Sequence, residues 1–555
     1  MGAMDYLRTN SLDIIVLVLY FCVLIGNGIY FSCKKTRELK KAKGGDSGTD
    51  SFLVGGKSFG VFATLCTQGA SMKGSGALLG YSGGAFVNGC GTLIPGQCYS
   101  LGAWFSIACG MARKLRKCAD KLDISSIGDV FVARFEKPAL RKLSGVAGAW
   151  LALSILCSQM AALGLLIHLM FSKYGMTYEL ALVIGIIVSF TYVSIGGLVS
   201  VVYNDVFQWL IMTPMIFIVL PGSMILMHGV TPQAMHSTLD AAQFFSLRPN
   251  MWWLGYLLSG LLASCCDVTH VQRFISAKDE KTSVKGSMLG FAYCTLFAGV
   301  VTFLGLGAAM LVDPAIIGKN TDGVLFALIS EVLPHGLIGL FVAAILATTI
   351  STLDSYLQVC VLCLMVDIVE PALPETTTEK QKLFCCRLLT LLIAVAASLL
   401  VLQFKGILTI VAVGYSTFSS MMFLPFMCAL YWKRCTGSGC VAGMVAGCLA
   451  CSAGVYLKLP LPIVWGVAAS LIAIAGVSFA TASEQKPLLP GFNEHGQEID
   501  HSVLKGCVFG TAGSLLISVG FGMYINWIYI IAGIIGMYLC VTMIDKAFKK
   551  YTLTA

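Results

Sequence analysis

Charged side chains are scarce in this sequence. Asp, Glu, Lys and Arg together make up 12% of its 555 residues, about half of the share that is usual in soluble domains, which is roughly a quarter. Hydrophobic residues make up 57%. Apolar runs of about 18 residues or more, long enough to cross a bilayer, recur along the chain, and we count about thirteen to fifteen of them. This composition predicts an all-α polytopic membrane protein.

Long hydrophilic stretches are missing as well. The largest segments between apolar runs cover residues 34–50, 231–250, 313–335, 366–382 and 483–502. Each is far shorter than the roughly 40 residues at which independent folding begins. We therefore expect the function to be carried out within the membrane, with no enzyme activity. The first apolar run has no basic segment before it, so it is expected to be a retained helix rather than a signal peptide.

The net charge of +9 comes from basic residues that are concentrated in alternate loops. They cluster in 34–43, 113–121 and 278–285, whereas 84–96 has none and 227–250 has one. Basic loops of membrane proteins lie on the cytoplasmic side. The pattern predicts a multi-pass protein of the plasma membrane with its N-terminus outside and its C-terminus in the cytoplasm. It indicates no nucleic-acid partner, and nothing in the sequence implies an obligate protein partner. Most of the 22 cysteines lie within spans, so neither a disulfide framework nor a zinc site is expected.

One apolar run, about 336–364, contains an unusual group of oxygen atoms. Ser351 and Ser355 are four residues apart and share a helix face, with Asp354 at its edge. Hydrocarbon offers such groups no water, so they must face a polar cavity, another helix or an ion. Oxygen suits a hard cation such as sodium. The alternative is that the hydroxyls bond carbonyls of the preceding helical turn.

Two other spans are interrupted by glycine or polar residues. The second span contains 69–76, with three glycines and Lys73, and the seventh contains 264–270. They enter the membrane from opposite sides. Such a pair of interrupted spans indicates a midplane binding site between two inverted halves of a secondary transporter. The candidate substrate residues are Met72, Lys73, Ser75, Gln159, Cys266, Asp267 and His270.

Two segments resemble signatures of the sodium/solute symporter family. Residues 192–208 (YVSIGGLVSVVYNDVFQ) are similar to Y-T-x-x-G-G-x-x-A-V-x-x-T-D-x-x-Q, and 351–355 (STLDS) to S-T-x-D-S. Residues 52–58 and 272–274 are similar to weaker markers, and the likeness extends over about 52–434. It implies a LeuT-type core of two inverted five-helix repeats. The expected division is an N-terminal end, first helix and basic loop (1–50), a first repeat (51–230), a second repeat (231–434) and peripheral C-terminal helices (435–555) with a cytoplasmic loop near 483–505.

The resemblance also implies cation sites. The sodium site falls on Ala70, Lys73, Thr348, Ser351 and Thr352. A second cation site, present in some members, falls on Asp205, Ser351, Asp354 and Ser355. Asp205 has the alternative of bonding neighbouring backbone amides.

Lys73 departs from the family, which usually has an apolar side chain there. A lysine near the bilayer centre costs about 2.5–3.5 kcal/mol on insertion scales, so it needs a partner. Three interpretations stay open: it binds a substrate carboxylate, it replaces sodium as a fixed cation, or it pairs with Asp267. Gln159 could contact the substrate or another helix, and His270 could carry protons or simply pack.

The sequence thus predicts a secondary active transporter that imports a small polar organic solute, an amino acid or a carboxylate, by cation-coupled symport. Sodium is the expected coupling ion. The alternatives are a sodium-independent carrier, proton-coupled or facilitated, with Lys73 as the surrogate cation, and a non-transporting membrane sensor of the same fold.

Overall fold

The computed structural model describes residues 10–43, 52–53, 55–122, 124–171, 175–245, 251–318, 321–402, 407–490, 492, 501–522 and 527–554. Parts of the expected N-terminal segment (1–9 and 44–50) and of the cytoplasmic loop (493–500) lie outside these residues. The described chain is helical. It contains no strand, only a single parallel bridge between Phe59 and Ala277.

The helices are numbered in chain order. The first twelve are α1 (Ser11–Lys43), α2 (Val61–Met72), α3 (Ser75–Asn88), α4 (Leu93–Gly96), α5 (Cys98–Ala108), α6 (Met111–Leu122), α7 (Ile127–Phe135), α8 (Pro138–Phe171), α9 (Tyr178–Pro214), α10 (Leu220–His228), α11 (Pro232–Thr238) and α12 (Ala241–Phe244).

The remaining helices are α13 (Met251–Cys265), α14 (Val268–Ser276), α15 (Glu280–Leu311), α16 (Pro314–Ile317), α17 (Val324–Val332), α18 (Leu337–Leu364), α19 (Glu379–Val401), α20 (Ile407–Tyr431), α21 (Gly437–Tyr456), α22 (Pro462–Ala480), α23 (His501–Gly522) and α24 (Trp527–Thr554). Short 3₁₀ or π segments cover Gly55–Lys57, Gly89–Thr92, Met215–Val219, Thr321–Gly323, Met365–Val369, Glu370–Ala372 and Ala482–Glu484.

Eleven helical segments of the described chain are long and apolar enough to cross a membrane, including the last two, α23 and α24. Part of α1, Ser11–Asn27, is a shorter apolar helix. One interrupted span, Met251–Ser276, is among the eleven, whereas the other is broken into α2 and α3, which each fall below the length of a full span. The predicted all-α polytopic membrane architecture is confirmed.

Helix α18 lies at the centre of the protein. Nearly all of its side chains are buried, and it packs against α8, α9, α1 and α2. Its N-terminus is capped from α1, because the buried carboxylate of Asp13 accepts hydrogen bonds from the amides of Gly336 at 2.7 Å and Gly339 at 2.8 Å. The positive end of a helix dipole favours a carboxylate at this position.

Both interruptions predicted from the sequence are present as breaks between half-helices. The first span bends at Lys73, whose φ of −123° and ψ of 79° are not helical. At Gly74 a β-carbon would overlap the carboxamide of Gln159, so any larger residue would displace that side chain. In the other span, Asp267 is the N-cap of α14, and its carboxylate accepts the amide of Thr269 at 2.5 Å.

Helix α9 is divided into two spans at Gly197. This residue has a φ of +54°, a left-handed conformation that L side chains rarely adopt. A β-carbon there would also overlap the carbonyl of Phe52. The second glycine of the 192–208 signature therefore makes the turn between the two spans.

Candidate functional site

Oxygen atoms of α18 meet the break of the first interrupted span at the carbonyl of Ala70. The Ser351 hydroxyl donates to this carbonyl at 3.2 Å and the Thr352 hydroxyl at 3.3 Å. Both hydroxyls also lie 3.2 Å from the carbonyl oxygen of Thr348. Two carbonyl and two hydroxyl oxygens thus converge at one buried position.

This donor set fits sodium. Carbonyl and hydroxyl oxygens are the ligands of hard cations, and unwound backbone of this kind supplies carbonyls for sodium in secondary transporters. Helix α2 ends just beyond Ala70, so the negative end of its dipole faces the same position. Rotation of the two hydroxyl protons away from the carbonyls would turn all four oxygens toward an ion.

Four of the five residues predicted for the sodium site meet in this cluster. Thr348 contributes its carbonyl, since its hydroxyl bonds the carbonyl of Ala344 at 2.8 Å, back along the helix. The backbone carbonyl of Lys73, the atom that the resemblance implies as a ligand, stays a prediction, and the Lys73 ammonium lies elsewhere, as described below. The structure therefore brings together Ala70, Thr348, Ser351 and Thr352.

Asp205 lies in a second buried cluster close by. Its carboxylate accepts the Thr67 hydroxyl at 2.6 Å and the Ser71 hydroxyl at 3.4 Å, and the hydroxyls of Ser71 and Ser355 are 2.7 Å apart. The guanidinium of Arg273 donates to Ser355 at 2.8 Å and approaches Thr67 and Ser71 at 3.4 Å. A side-chain cation therefore occupies the neighbourhood of Asp205.

The other residues of the predicted second cation site are distributed differently. Asp354 is fully buried and lies near Tyr20 of α1. Ser351, predicted for both sites, bonds Ala70 in the first. The second cation site remains a prediction, and one of its hydroxyls, that of Ser355, already accepts a hydrogen bond from the guanidinium of Arg273.

Lys73 is almost entirely buried, with 1% of its surface exposed. Its ammonium donates to the carbonyl of Gly96 at 3.1 Å and lies 5.9 Å from the ring centre of Tyr81. Among the described residues, no carboxylate oxygen lies within ion-pair distance of this ammonium. The predicted pair with Asp267 is not formed.

The carboxylate of Asp267 is instead saturated by other donors. It accepts hydrogen bonds from the hydroxyls of Tyr99 and Tyr356, the latter at 3.1 Å, and from the amide and hydroxyl of Thr269. The hydroxyls of Tyr99 and Tyr356 are themselves 2.8 Å apart. This network holds the second break closed against α5 and α18.

A small cavity lies beside the first break. Its volume is about 30 Å³, room for one or two water molecules, so a solute can enter only if the surrounding helices move apart. Thr352 connects its wall to the candidate sodium site. The polar side chains that line it are Ser71, Lys73, Tyr81, Tyr99, Gln159, Tyr256, Thr352, Tyr356 and Tyr415, and Met72 is among the apolar ones.

Gln159 bridges α8 to the N-terminus of α3. Its side-chain oxygen accepts the amide of Ser75 at 2.9 Å and the Ser75 hydroxyl at 2.7 Å, and its nitrogen donates to Ser158 at 2.9 Å. The first amide of the half-helix is thereby satisfied by a side chain. Two predicted substrate residues, Ser75 and Gln159, are thus bonded to each other.

Cys266 and His270 do not line the cavity. Cys266 lies just past the end of α13, and its thiol donates to the carbonyl of Leu262 in that helix at 3.5 Å. One ring nitrogen of His270 bonds the Ser264 carbonyl at 2.9 Å, and the ring packs against Tyr99 and Phe291. Both side chains therefore pack against neighbouring residues.

The tyrosines of the cavity wall were missed by the sequence analysis. Tyr356 could have been predicted from the sequence, because it lies four residues after Thr352 and so shares its helix face. Tyr99, Tyr256 and Tyr415 could not, since each belongs to a different span and only the tertiary fold brings them together.

Comparisons with known proteins agree with this arrangement. A model described as the sodium:solute symporter family matches residues 52–447. The chain is 26% identical to the sodium/proline symporter of Escherichia coli (strain K12) over 417 residues, covering 72% of this chain and 81% of that protein. It is also 26% identical to the high-affinity proline transporter PutP of Bacillus subtilis (strain 168) over 498 residues, covering 85% and 98%.

Among solved structures, the chain resembles a substrate-bound, outward-open Na⁺-coupled sialic acid symporter. The TM-score is 0.70 at 18% sequence identity, covering 87% of this chain and 99% of that one. At this identity the likeness shows the fold.

Proposed function

The chain belongs to the sodium:solute symporter family, and from this premise we propose that it imports a small polar organic solute with sodium, which binds at Ala70, Thr348, Ser351 and Thr352. It is a transporter of the LeuT-type fold rather than an enzyme. A sodium-independent carrier and a non-transporting sensor are not favoured by the family match.

One observation carries the proposed sodium site. The hydroxyls of Ser351 and Thr352 both reach the Ala70 carbonyl, at 3.2 and 3.3 Å, at the point where α2 loses its helical hydrogen bonds. A carbonyl freed by a break and two hydroxyls on a facing helix form a neutral oxygen cage. Hydroxyls that only bonded carbonyls of α18 would not contact the Ala70 carbonyl on α2.

The position of this site explains how sodium could be coupled to the solute. The ion would join α2 to α18, and the solute cavity shares Thr352 with the ion site. An ion that binds only when these helices are close favours the conformation that also binds the solute. A membrane potential of 100 mV adds about 2.3 kcal/mol per charge moved inward.

The proposal also includes the orientation of the chain in the membrane and its division into repeats. The basic loops face the cytoplasm, which places the N-terminus outside and the C-terminus inside the plasma membrane. The breaks at Lys73 and Cys266 support a division into inverted repeats over 51–230 and 231–434, with 1–50 before them and 435–555 after them. The relatives named as proline transporters support a solute of about the size of an amino acid.

Sodium binding can be tested before the solute is known. Purified protein is melted in increasing sodium chloride, with potassium chloride at equal ionic strength as the reference. We expect sodium to raise the melting temperature of the parent protein. Ser351→Ala and Thr352→Ala should each need a several-fold higher sodium concentration for half of the effect.

Thr349→Ala is the matched control for this experiment. Thr349 lies on the same helix and is equally buried, but its hydroxyl bonds only the Ile345 carbonyl at 2.8 Å. Its removal should leave the sodium dependence unchanged. The proposed site is wrong if all three variants respond to sodium like the parent protein.

A further inference from the structure

We propose that the transported solute is a small monocarboxylate and that Lys73 binds its carboxylate. The inference rests on the proposed function, because it concerns the solute of the same transport cycle. It goes beyond the relatives, which are named for proline, a zwitterion.

Lys73 has no counter-ion among the described residues. Its ammonium has three donors and makes one hydrogen bond, to the Gly96 carbonyl. The ring of Tyr81 offers a further weak attraction. An ammonium buried in the membrane core without a carboxylate is costly. Lys73 also lines the cavity, so an anion that enters the cavity can supply the missing partner.

The contacts of Lys73 do not match its other two suggested roles, which are to replace sodium and to pair with Asp267. A surrogate for sodium would bond the Ala70 carbonyl, yet the ammonium bonds Gly96 on α4. A structural partner of Asp267 would share its carboxylate, yet that carboxylate already accepts four hydrogen bonds. The interpretation left is a bound substrate anion.

The residues of the cavity wall indicate the net charge of the solute. Among the residues that the structure describes, Lys73 is the one charged side chain in the cavity wall, and neither Asp nor Glu contributes to it. An amino acid would bring a second ammonium into a site that offers no carboxylate for it, and like charges within a few ångströms oppose each other. A monocarboxylate neutralises Lys73. Its apolar body can pack on Tyr256 and Tyr415.

A carboxylate would also reconcile Lys73 with sodium. Thr352 belongs both to the cavity wall and to the oxygen cage of the candidate ion site. A carboxylate bound between Lys73 and Thr352 would lie beside both positive charges and screen their repulsion. Solute and ion would then each favour the binding of the other, which is the condition for symport.

The test uses sets of molecules that have the same shape and differ in charge. The melting temperature of the full-length purified protein is measured in sodium chloride with cyclopentanecarboxylate (anion), proline (zwitterion) or cyclopentanecarboxamide (neutral), and with the smaller set propionate, alanine and propionamide. We expect saturable stabilisation by the anion of at least one set and little by its zwitterion or amide. Lys73→Met should weaken the apparent affinity for the anion by about tenfold or more, since hydrogen bonds between charged groups are strong. Lys73→Arg should retain part of it.

The sodium response of the same samples separates this inference from the proposed function. Lys73→Met should still be stabilised by sodium alone, which also shows that it is folded. The inference is overturned if the zwitterion or amide stabilises as well as the anion, if Lys73→Met binds the anion like the parent, or if sodium stabilises the parent and neither carboxylate does. Carboxylate-specific stabilisation with no effect of sodium would retain the inference and overturn sodium coupling instead.

Discussion

The side chain of Gln159 accepts a hydrogen bond from the backbone amide of Ser75 at 2.9 Å. This bond joins α8 to the first residue of the half-helix that follows the break at Lys73. It also explains the glycine before Ser75, because a β-carbon on Gly74 would overlap the same carboxamide. The conformation of the break is therefore maintained from outside its own span.

Removal of this contact should destabilise the protein. In Gln159→Leu, the buried amide and hydroxyl of Ser75 lose their acceptor, a loss of about 1–3 kcal/mol in unfolding free energy. Gly74→Ala should also be destabilising, because its methyl group overlaps Gln159. Melting of Gln159→Ala and of the double variant Gly74→Ala with Gln159→Ala tests the steric cause: the loss in the double variant should be smaller than the sum of the two single losses. A loss equal to that sum or greater would contradict it.

Much of the fold could be predicted because its signals are local. Apolar runs of membrane length, the glycines of 69–76 and the polar break at 264–270 each appear within one stretch of sequence. The hydroxyls of Ser351 and Thr352 were found for the same reason, as two adjacent residues in an apolar span.

Contacts between spans could not be predicted in the same way. The sequence analysis offered Asp267 as a partner for Lys73 because both lie at breaks, but the carboxylate turns to Tyr99 and Tyr356. Asp205 stays a predicted cation ligand, but the sequence did not reveal that Arg273 donates to the Ser355 hydroxyl of the same cluster. In both cases the partners lie on other spans, so only the packed structure shows which groups are near.

Arg273 should make Asp205 important for stability. Asp205→Asn leaves a buried guanidinium without its neighbouring negative charge, and because the two groups form no direct ion pair, the loss should stay below the about 3–5 kcal/mol that breaking a buried pair costs. The double variant Asp205→Asn with Arg273→Met removes both charges and should recover part of the loss in a thermal melt. Equal or greater loss in the double variant would show that the two charges do not compensate each other.

The position of Arg273 near Asp205 also leads to a prediction about the number of ions moved per solute. If the positive charge near Asp205 is supplied by Arg273, Asp205→Asn should leave the number of charges moved per solute unchanged. The measurement is the reversal potential of solute-driven current in proteoliposomes. A lower number in Asp205→Asn than in the parent protein would favour the second cation site at Asp205, Asp354 and Ser355.

Asp13 should be needed to anchor the central helix. Its carboxylate accepts two amides at the N-terminus of α18, so Asp13→Ala should lower the unfolding free energy by about 1–2 kcal/mol or more. Asp313→Ala is the control, because Asp313 caps only the short helix α16 through the amide of Ala315 at 2.9 Å and is exposed. Its melting temperature should change less. Similar losses in both variants would mean that the contact between α1 and α18 adds nothing to an ordinary cap.

The final prediction concerns the energetic independence of Lys73 and Asp267. Each makes its own set of contacts, and within the described residues they share no bond. The losses of stability in Lys73→Met and Asp267→Asn should therefore add in the double variant, to within about 0.5 kcal/mol. Asp267→Asn should be the more damaging single change, because it disturbs the bonds of Tyr99, Tyr356 and Thr269 together, whereas methionine removes an uncompensated charge. Denaturant unfolding of the four proteins gives the coupling energy directly. Recovery of stability in the double variant would show that lysine and aspartate pair in the folded protein, and Lys73 would then be a structural residue rather than the one that binds the solute.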